Sequence, residues 1–362
     1  MRAHHKMLYA GLIGGLAALT LPLYAAQGTK AATLPVLKRQ HEADPAAKLA
    51  LLRGIIPAAK SVSVDPEKLD DRLRLSGGTW RLDVFGDGSG AEFTDTNAFA
   101  RSHSSGVQPA QVMSRATLEA LGRTFVDQKL SRLIVLQKDE RLVLAATSQR
   151  TEGGAEPGGK NAYSAIVANR VVFTREIGGI PVVGAGSKVT VTFLNDGSLE
   201  SFRYDWPAYK SSGRTQTLAA PVEVLRRLQR VSGVRTKTNV DQVLKSIPDL
   251  QSIAGPIKLG TTVTLEDLTC GYYDPGFAVR DPAAPIQQGC YYHVLDTRGE
   301  GDYVTSTGYS GAVPAATVFE RDARWPEVNV LRGLKTKEPK GQTAGSSEKV
   351  EPVPPRPGNT GQ

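Results

Sequence analysis

The sequence predicts an α+β fold in which a helix packs on an antiparallel sheet, repeated as two modules in tandem ahead of a disordered C-terminal tail. Three observations lead to this prediction. Residues 171–209 alternate apolar and polar side chains around strong turn signals, as antiparallel strands do. An amphipathic helical pattern precedes them, and a second helix-then-strands pattern begins at Pro221. From Lys335 onward apolar residues are almost absent, which is typical of disorder.

These patterns divide the chain into five parts. They are a signal peptide (1–26), a helical segment with a β-hairpin (27–105), a first α+β module (106–210), a second α+β module with a disulfide (211–334) and the tail (335–362).

The first residues have the layout of a secretory signal. Arg2 and Lys6 precede an apolar stretch from Leu8 to Tyr24, and two alanines follow. We therefore expect export, to the periplasm or outside the cell, and no stable membrane span once the signal is removed. The alternative is an uncleaved anchor, because the stretch approaches the length of a spanning helix. Bulky residues at the expected cut leave the cleavage site open.

Charge excludes one class of partner. The 362 residues carry a formal net charge of +8 at pH 7. The basic residues form no run interleaved with aromatic side chains, so we predict no nucleic-acid partner. A basic cluster near the second predicted helix indicates a solvated helix face, with an anionic partner as the alternative. Its members are Arg226, Arg227, Arg230, Arg235 and Lys237.

The segment 27–105 predicts one helix and one hairpin. Asp44 before Pro45 is typical of an N-cap, and Leu49, Leu52 and Ile56 then recur at near-helical spacing. The run from Thr79 to Phe93 alternates around a glycine-rich turn and predicts a β-hairpin. A calcium loop at this turn is the alternative, although Asp87 lacks the acidic partners of such loops.

The segment 106–210 predicts a helix followed by strands. Apolar residues at spacings of three and four indicate the helix; they are Val112, Leu118, Leu121 and Phe125. The runs RLIVL and RLVLAA predict a hairpin across the QKDE turn. Two further turns are predicted at Gly178-Gly179 and at Asn195-Asp196-Gly197, because these residues tolerate positive φ.

The segment 211–334 holds a weaker second copy. Helices are predicted from Pro221 and from Asn239, where Gln242 completes a capping-box pattern. Two strand-like runs follow, and each contains one cysteine. Cys270 and Cys290 are the chain's two cysteines, and in an exported protein they predict one disulfide. Two cysteines with His293 would leave a metal under-coordinated, so we predict no metal site.

The pattern at 171–206 resembles the propeptide domains of thermolysin-like and fungalysin-like secreted metalloproteases and, more loosely, the PepSY domain. The matching residues are Phe173, Arg175, Gly179-Ile180-Pro181-Val182, Gly184, Val189, Val191 and Asp196-Gly197. The resemblance covers about 90 residues and implies a cystatin-like fold. It also implies a role in holding, inhibiting or helping to fold a secreted protease.

The peptidase half of that family is absent from this sequence. H-E-x-x-H places two histidines on one helix face to bind zinc, and His41, His103 and His293 do not have this spacing. We therefore predict an exported, non-catalytic protein that binds, and inhibits or chaperones, an exported protein, foremost a peptidase. Its expected contact residues are Ile180, Pro181, Val182, Val183, Tyr204 and Trp206, which combine a tight turn with amphipathic aromatic side chains.

Two other functions stay open: an envelope scaffold or ligand-binding protein that reuses the fold, and a hydrolase with an unrecognised site. His293 with Asp296 is a suggestive acid–base pair, but GYSGA at 308–312 lacks a complete nucleophile elbow. The glycine-rich stretches GDGSG and GAGSK do not stand between a strand and a helix, which argues against phosphate binding. We predict no catalytic residue and no cofactor.

Overall fold

The computed structural model describes residues 33–40, 44–60, 64–98, 100, 113–154, 163–231, 252–258, 263–281, 283–300 and 303–317. The predicted signal peptide, the helix from Asn239 and the tail from Lys335 lie outside these ranges. So do Arg235 and Lys237 of the basic cluster.

Fifteen strands form within the described ranges. The first eight are β1 (Thr33–Arg39), β2 (Glu67–Lys68), β3 (Arg72–Ser76), β4 (Trp80–Phe85), β5 (Gly90–Asp95), β6 (Glu140–Gly154), β7 (Tyr163–Ile177) and β8 (Ile180–Gly184). The others are β9 (Lys188–Phe193), β10 (Leu199–Asp205), β11 (Tyr209–Thr217), β12 (Ser252–Lys258), β13 (Val263–Asp274), β14 (Gln288–Glu300) and β15 (Tyr303–Pro314).

The main helices are short and lie between these strands. They are α1 (Pro45–Ile55), α2 (Pro57–Lys60), α3 (Arg115–Phe125), which continues into a π-helical turn (Val126–Leu130), and α4 (Pro221–Val231).

Thirteen of the fifteen strands join one mixed sheet. Its main path runs β15-β14-β13-β8-β7-β9-β10-β5-β4-β3-β2, with β6 paired to β7 and β12 paired to β13. Pairing is antiparallel except between β8 and β13, which run parallel from Val182 opposite Tyr272 to Gly184 opposite Asp274. The remaining two strands, β1 and β11, form a separate antiparallel ribbon.

The predicted α+β fold class is therefore wrong. The expectation was a helix on a small antiparallel sheet, present twice, but strands dominate the described chain and one large mixed sheet crosses both predicted modules. The physical reason is the short β8, which leaves its hairpin partner β7 after two residue pairs and joins β13. A pairing between segments about 90 residues apart leaves no local pattern in the sequence.

The first core lies under α1 and α3. The Ser114 hydroxyl caps α3 by accepting from the Thr117 N–H at 3.1 Å, and Leu118 is buried. α3 packs close to β7, since a Cβ at Gly122 would lie 2.7 Å from Val171 Cγ1. A second core lies between α4 and strands β13 to β15, where Leu228 is buried.

Several local predictions are confirmed. The Asp44 side chain caps α1 with Pro45 at its start. β4 and β5 form the predicted hairpin. Gly178 and Gly179 turn β7 into β8 with positive φ values of 58° and 82°, and helix α4 begins at Pro221.

The predicted hairpin between RLIVL and RLVLAA is wrong. Leu133 and Ile134 follow the π-helical turn and are buried in the first core, outside any strand. β6 begins at Glu140 and pairs along its length with β7. Strand β1 was not predicted, because the segment 27–65 was expected to hold one helix.

Candidate ligand-binding cavity

A cavity of about 640 Å³ lies between the β1–β11 ribbon, the β7–β8 turn, strands β13 and β14, and helix α4. Most of its lining surface is apolar. The principal aliphatic side chains are Leu34, Leu37, Ile177, Ile180, Val224 and Ala315. They come from strands, a turn and a helix that are far apart in the chain, so the cavity exists only in the complete fold.

One wall of the cavity carries the disulfide. Cys270 lies directly opposite Cys290 in the antiparallel pair β13–β14, and their Sγ atoms are 2.01 Å apart. The predicted disulfide is therefore present. Two residues further along, Tyr272 lies opposite Gln288. Because side chains two apart on a strand share a face, all four line the same wall.

Gln288 brings an amide into this wall. Gln288 is 1% exposed, and its Nε2 has almost no accessible surface. Burial raises the pKa of the Tyr272 phenol to about 12, against the opposing effect of a hydrogen bond from the Gln288 side chain. The wall is thus uncharged at neutral pH.

Charged groups also line the cavity. Lys210 and Asp139 are exposed there, whereas Glu140 is buried and forms an ion pair with Arg175. The Arg175 guanidinium carbon lies 4.9 Å from the ring centroid of Trp206 and 5.0 Å from that of Tyr209. The buried Arg175 guanidinium is therefore neutralised by Glu140 and lies against two aromatic rings.

The six predicted contact residues fall into two groups. Ile180 and Pro181 line the cavity and are partly exposed. Val182, Val183, Tyr204 and Trp206 are buried, with Tyr204 in the first core. The hairpin strand β8 pairs on one side with β7 and on the other with β13, so it is not the free sheet edge expected from its sequence. The contact role of all six stays a prediction.

The two glycine-rich stretches meet at a buried ionic cluster. Arg280 donates to Asp274 Oδ1 at 2.8 Å, to Asp205 Oδ2 at 2.7 Å and to Ser89 Oγ, in GDGSG, at 3.0 Å. Ser187, in GAGSK, donates its hydroxyl to Asp274 Oδ2 at 2.8 Å. Both stretches therefore surround protein carboxylates, which accounts for their small residues without a phosphate ligand.

The second glycine of GAGSK lets the backbone approach the Asp274 carboxylate closely. A Cβ at Gly186 would lie 2.2 Å from the Asp274 carboxyl carbon. At GDGSG the alternative was a calcium loop, but the Asp87 carboxylate is paired with Arg39 at 3.1 Å and with Arg280 at 3.3 Å.

Two carboxyls in this cluster have pKa values shifted in opposite directions. Burial acts to raise the pKa of Asp274, but Arg280 and hydrogen bonds from Gly276 and Ser187 lower it below the ordinary value of 3.8. At Asp205 burial prevails over the attraction of Arg280, and its pKa is raised.

A serine–histidine pair lies on the other face of β14. Ser310, from GYSGA, has its Oγ 2.9 Å from His293 Nδ1. Asp267 lies opposite His293 in register, and this carboxylate accepts a hydrogen bond from Thr269 Oγ1 at 3.4 Å. Partial burial raises the Asp267 pKa. The predicted partner Asp296 is buried. It stands three residues after His293 on β14, so the two side chains lie on opposite faces of the strand.

The sequence did not indicate Gln288, Arg280 or the β1 side chains of the cavity. Gln288 stands two residues before Cys290, so it shares a strand face with a cysteine that the sequence had already singled out. Leu34 and Leu37 lay in a segment expected to be helical. None of these residues forms a motif, since their partners are supplied by distant strands.

Among the residues that the structure describes, no helix has the length and apolar character needed to cross a membrane. No protein-family model matches the chain, and neither does any curated protein sequence.

Proposed function

We propose that this protein is an exported, non-catalytic binding protein that takes an apolar ligand into the cavity beneath the β1–β11 ribbon. The observation that carries the proposal is the cavity itself. Its volume of about 640 Å³ falls within the range of about 300–1,000 Å³ that is usual for small-molecule sites, which are mostly apolar with a few placed polar groups.

The apolar lining of the cavity favours an organic ligand over ordered water. Leu37, Ile177 and Val224 offer aliphatic surface that water cannot satisfy by hydrogen bonding. A ligand would bury this surface as well as its own, and the release of water from both drives association. The disulfide ties two strands of one wall together, which reduces the freedom lost when a ligand binds.

Titration with the neutral fluorophore Nile red tests this proposal. We expect one saturable site, and we expect Ala219→Trp to remove it, because Ala219 lines the cavity and the indole would fill the space. The matched control is Ala50→Trp on the exposed side of α1, which should bind as the wild type does. Absence of saturable binding, or binding unchanged by Ala219→Trp, would contradict the proposal.

The second candidate is binding of a secreted peptidase, and the observation that favours it is the position of Ile180 and Pro181. Both are partly exposed beside the exposed Gly178-Gly179 turn, so an apolar side chain of a partner could contact them at the cavity rim. Ile180→Asp should weaken capture of peptidases from the secretome of the same cells without changing the melting temperature. Val135→Asp is the control, because Val135 is 67% exposed and does not line the cavity.

A further inference from the structure

Two adjacent aliphatic side chains are exposed beside the cavity. Val135 is 67% exposed and Leu136 is 45% exposed, in the loop 131–139 between the π-helical turn and β6. The next residue, Gln137, lines the cavity, and so does Asp139. The apolar pair therefore stands directly next to the cavity lining.

The loop holds this pair in a fixed position. The two residues before it, Leu133 and Ile134, are buried in the first core. The residue after it, Gln137, donates its Nε2 to the Tyr209 carbonyl at 2.9 Å, on the ribbon strand β11. Because the chain is fixed on both sides of the pair, exposure of the two side chains is a property of the fold and not of a loose loop.

The cavity rim adds further apolar surface. Pro35 is exposed and Leu34, Ile180 and Pro181 are partly exposed, and all four line the cavity. Apolar residues that are exposed singly are normal on a protein surface, whereas apolar side chains grouped at one place mark an interaction site. An exposed aliphatic pair beside an apolar rim belongs to the second kind.

The charges around the pair favour an anionic partner. Arg132 and Lys138 are exposed on either side of it in the loop, and Lys210 is exposed on β11, next to the Tyr209 carbonyl that the loop contacts. Asp139 is the acidic residue of the loop 131–139. Three cations and one carboxylate around an aliphatic pair match an anionic bilayer, whose headgroups attract basic side chains while its acyl boundary accepts apolar ones.

We propose that this protein docks peripherally on the surface of an anionic lipid bilayer through the loop 131–139. Val135 and Leu136 enter the headgroup region, and Arg132, Lys138 and Lys210 lie against the lipid phosphates. The inference goes beyond the proposed function, because docking does not require a ligand in the cavity. It places the apolar rim of the cavity beside the lipid.

Co-sedimentation of the exported protein with lipid vesicles tests this inference. We expect binding to vesicles of phosphatidylcholine and phosphatidylglycerol in equal parts, weaker binding to phosphatidylcholine alone, and release as the salt concentration rises. Leu136→Asp should bind the anionic vesicles at least about tenfold more weakly, because it removes apolar area and adds a repelled charge. Lys138→Gln should bind them about fivefold more weakly, with little effect on the neutral vesicles.

Leu51→Asp is the matched control for Leu136→Asp. Leu51 is 40% exposed on α1, and neither leucine lines the cavity. Leu51→Asp should bind vesicles as the wild type does, and both variants should bind Nile red in solution with the wild-type affinity, which also shows that they fold.

Tryptophan at the same two positions gives a positive signal. Leu136→Trp should keep vesicle binding, because indole rings favour the membrane interface. Relative to the wild type, its emission should shift to the blue when anionic vesicles are added. Leu51→Trp should show no such shift.

Three results would overturn the inference. If the wild type binds neither kind of vesicle but binds Nile red, the bilayer is the wrong partner and the proposed function stands. If Leu136→Asp binds vesicles as tightly as the wild type, the contact lies elsewhere in the chain. If neutral and anionic vesicles bind equally, the surface does not recognise anionic lipid. Vesicle binding that responds to the variants as expected, in a protein without a Nile red site, would support the inference and contradict the proposed function.

Discussion

Arg280 donates to both carboxylate oxygens of Asp274, six residues earlier in the chain, through its Nε at 2.9 Å to Oδ1 and its Nη2 at 3.0 Å to Oδ2. The same guanidinium reaches Asp205 at 2.7 Å, at the end of β10. Tyr209, the first residue of β11, donates its hydroxyl to Asp274 at 2.8 Å. One buried arginine therefore links the connection between β13 and β14 to the distant strand β10.

Replacing Arg280 should destabilise the protein strongly. Arg280→Met leaves the Asp274 and Asp205 carboxylates buried without their cation, and loss of one partner of a buried ion pair costs about 3–5 kcal/mol. Urea unfolding at pH 7 measures this cost. The control is Arg141→Met, which breaks a surface pair with Glu176 in which Arg141 is 68% exposed, and should cost less than about 1 kcal/mol.

A rescue variant distinguishes charge from packing in this experiment. Neutralising both carboxylates, as Asp205→Asn and Asp274→Asn on the Arg280→Met background, should recover part of the lost free energy of unfolding. No recovery would mean that the cost of Arg280→Met comes from the lost side-chain volume.

The lowered pKa of Asp274 predicts the sign of one pH effect. An acid whose folded pKa lies below its unfolded value stabilises the fold above the unfolded value, 3.8, and this contribution is lost as pH falls through the folded pKa. Asp274→Asn should therefore be less stable than the wild type at pH 6, and the difference should shrink below pH 3.8. A difference in the free energy of unfolding that stays constant from pH 6 to pH 2.5 would contradict this account.

Local structure was predictable here where the signal was local. The Asp44 cap, the Gly178-Gly179 turn and the start of α4 at Pro221 each depend on a few adjacent residues, and all three occur. The disulfide followed from the count of cysteines and the expected compartment. These features need no knowledge of the rest of the fold.

The sheet and the cavity were not predictable in the same way. Parallel pairing of Val182 with Tyr272 depends on β8 leaving β7, and alternation of apolar residues says which face is buried but not which strand is adjacent. Gln288 was overlooked because an isolated amide in a strand has no motif. Its position opposite Tyr272 in the cavity wall appears only once β13 and β14 are paired.

Export predicts a defined mature N-terminus. Removal of the signal should leave a chain that begins between Ala25 and about Ala32, as the basic start, the apolar run and the small residues after it indicate. Edman sequencing of the protein recovered from the extracytoplasmic fraction measures this. Recovery with Met1 intact in a membrane fraction would support the uncleaved anchor instead.

The disulfide should stabilise the whole described sheet and not strands β13 and β14 alone. Cys270→Ala with Cys290→Ala opens a loop of sequence separation 20 and should lower the free energy of unfolding by about 3 kcal/mol in the chain-entropy model. A reducing agent should lower the wild-type stability similarly and leave the double variant unchanged, which controls for its other effects.

Where that loss appears tests whether the sheet unfolds as one unit. The β8–β13 pairing and the Arg280 contacts connect strands β13 and β14 to strand β10, which directly precedes Trp206. Trp80 and Trp206 are buried in the first core, and Trp325→Phe removes the signal of the third tryptophan. In that background the urea midpoint of tryptophan fluorescence should therefore shift down together with the loss of hydrogen-exchange protection in β13 and β14. If the tryptophan midpoint stays in place while β13 and β14 lose protection, the two predicted modules unfold independently, and the connection through β8 is too weak to couple them.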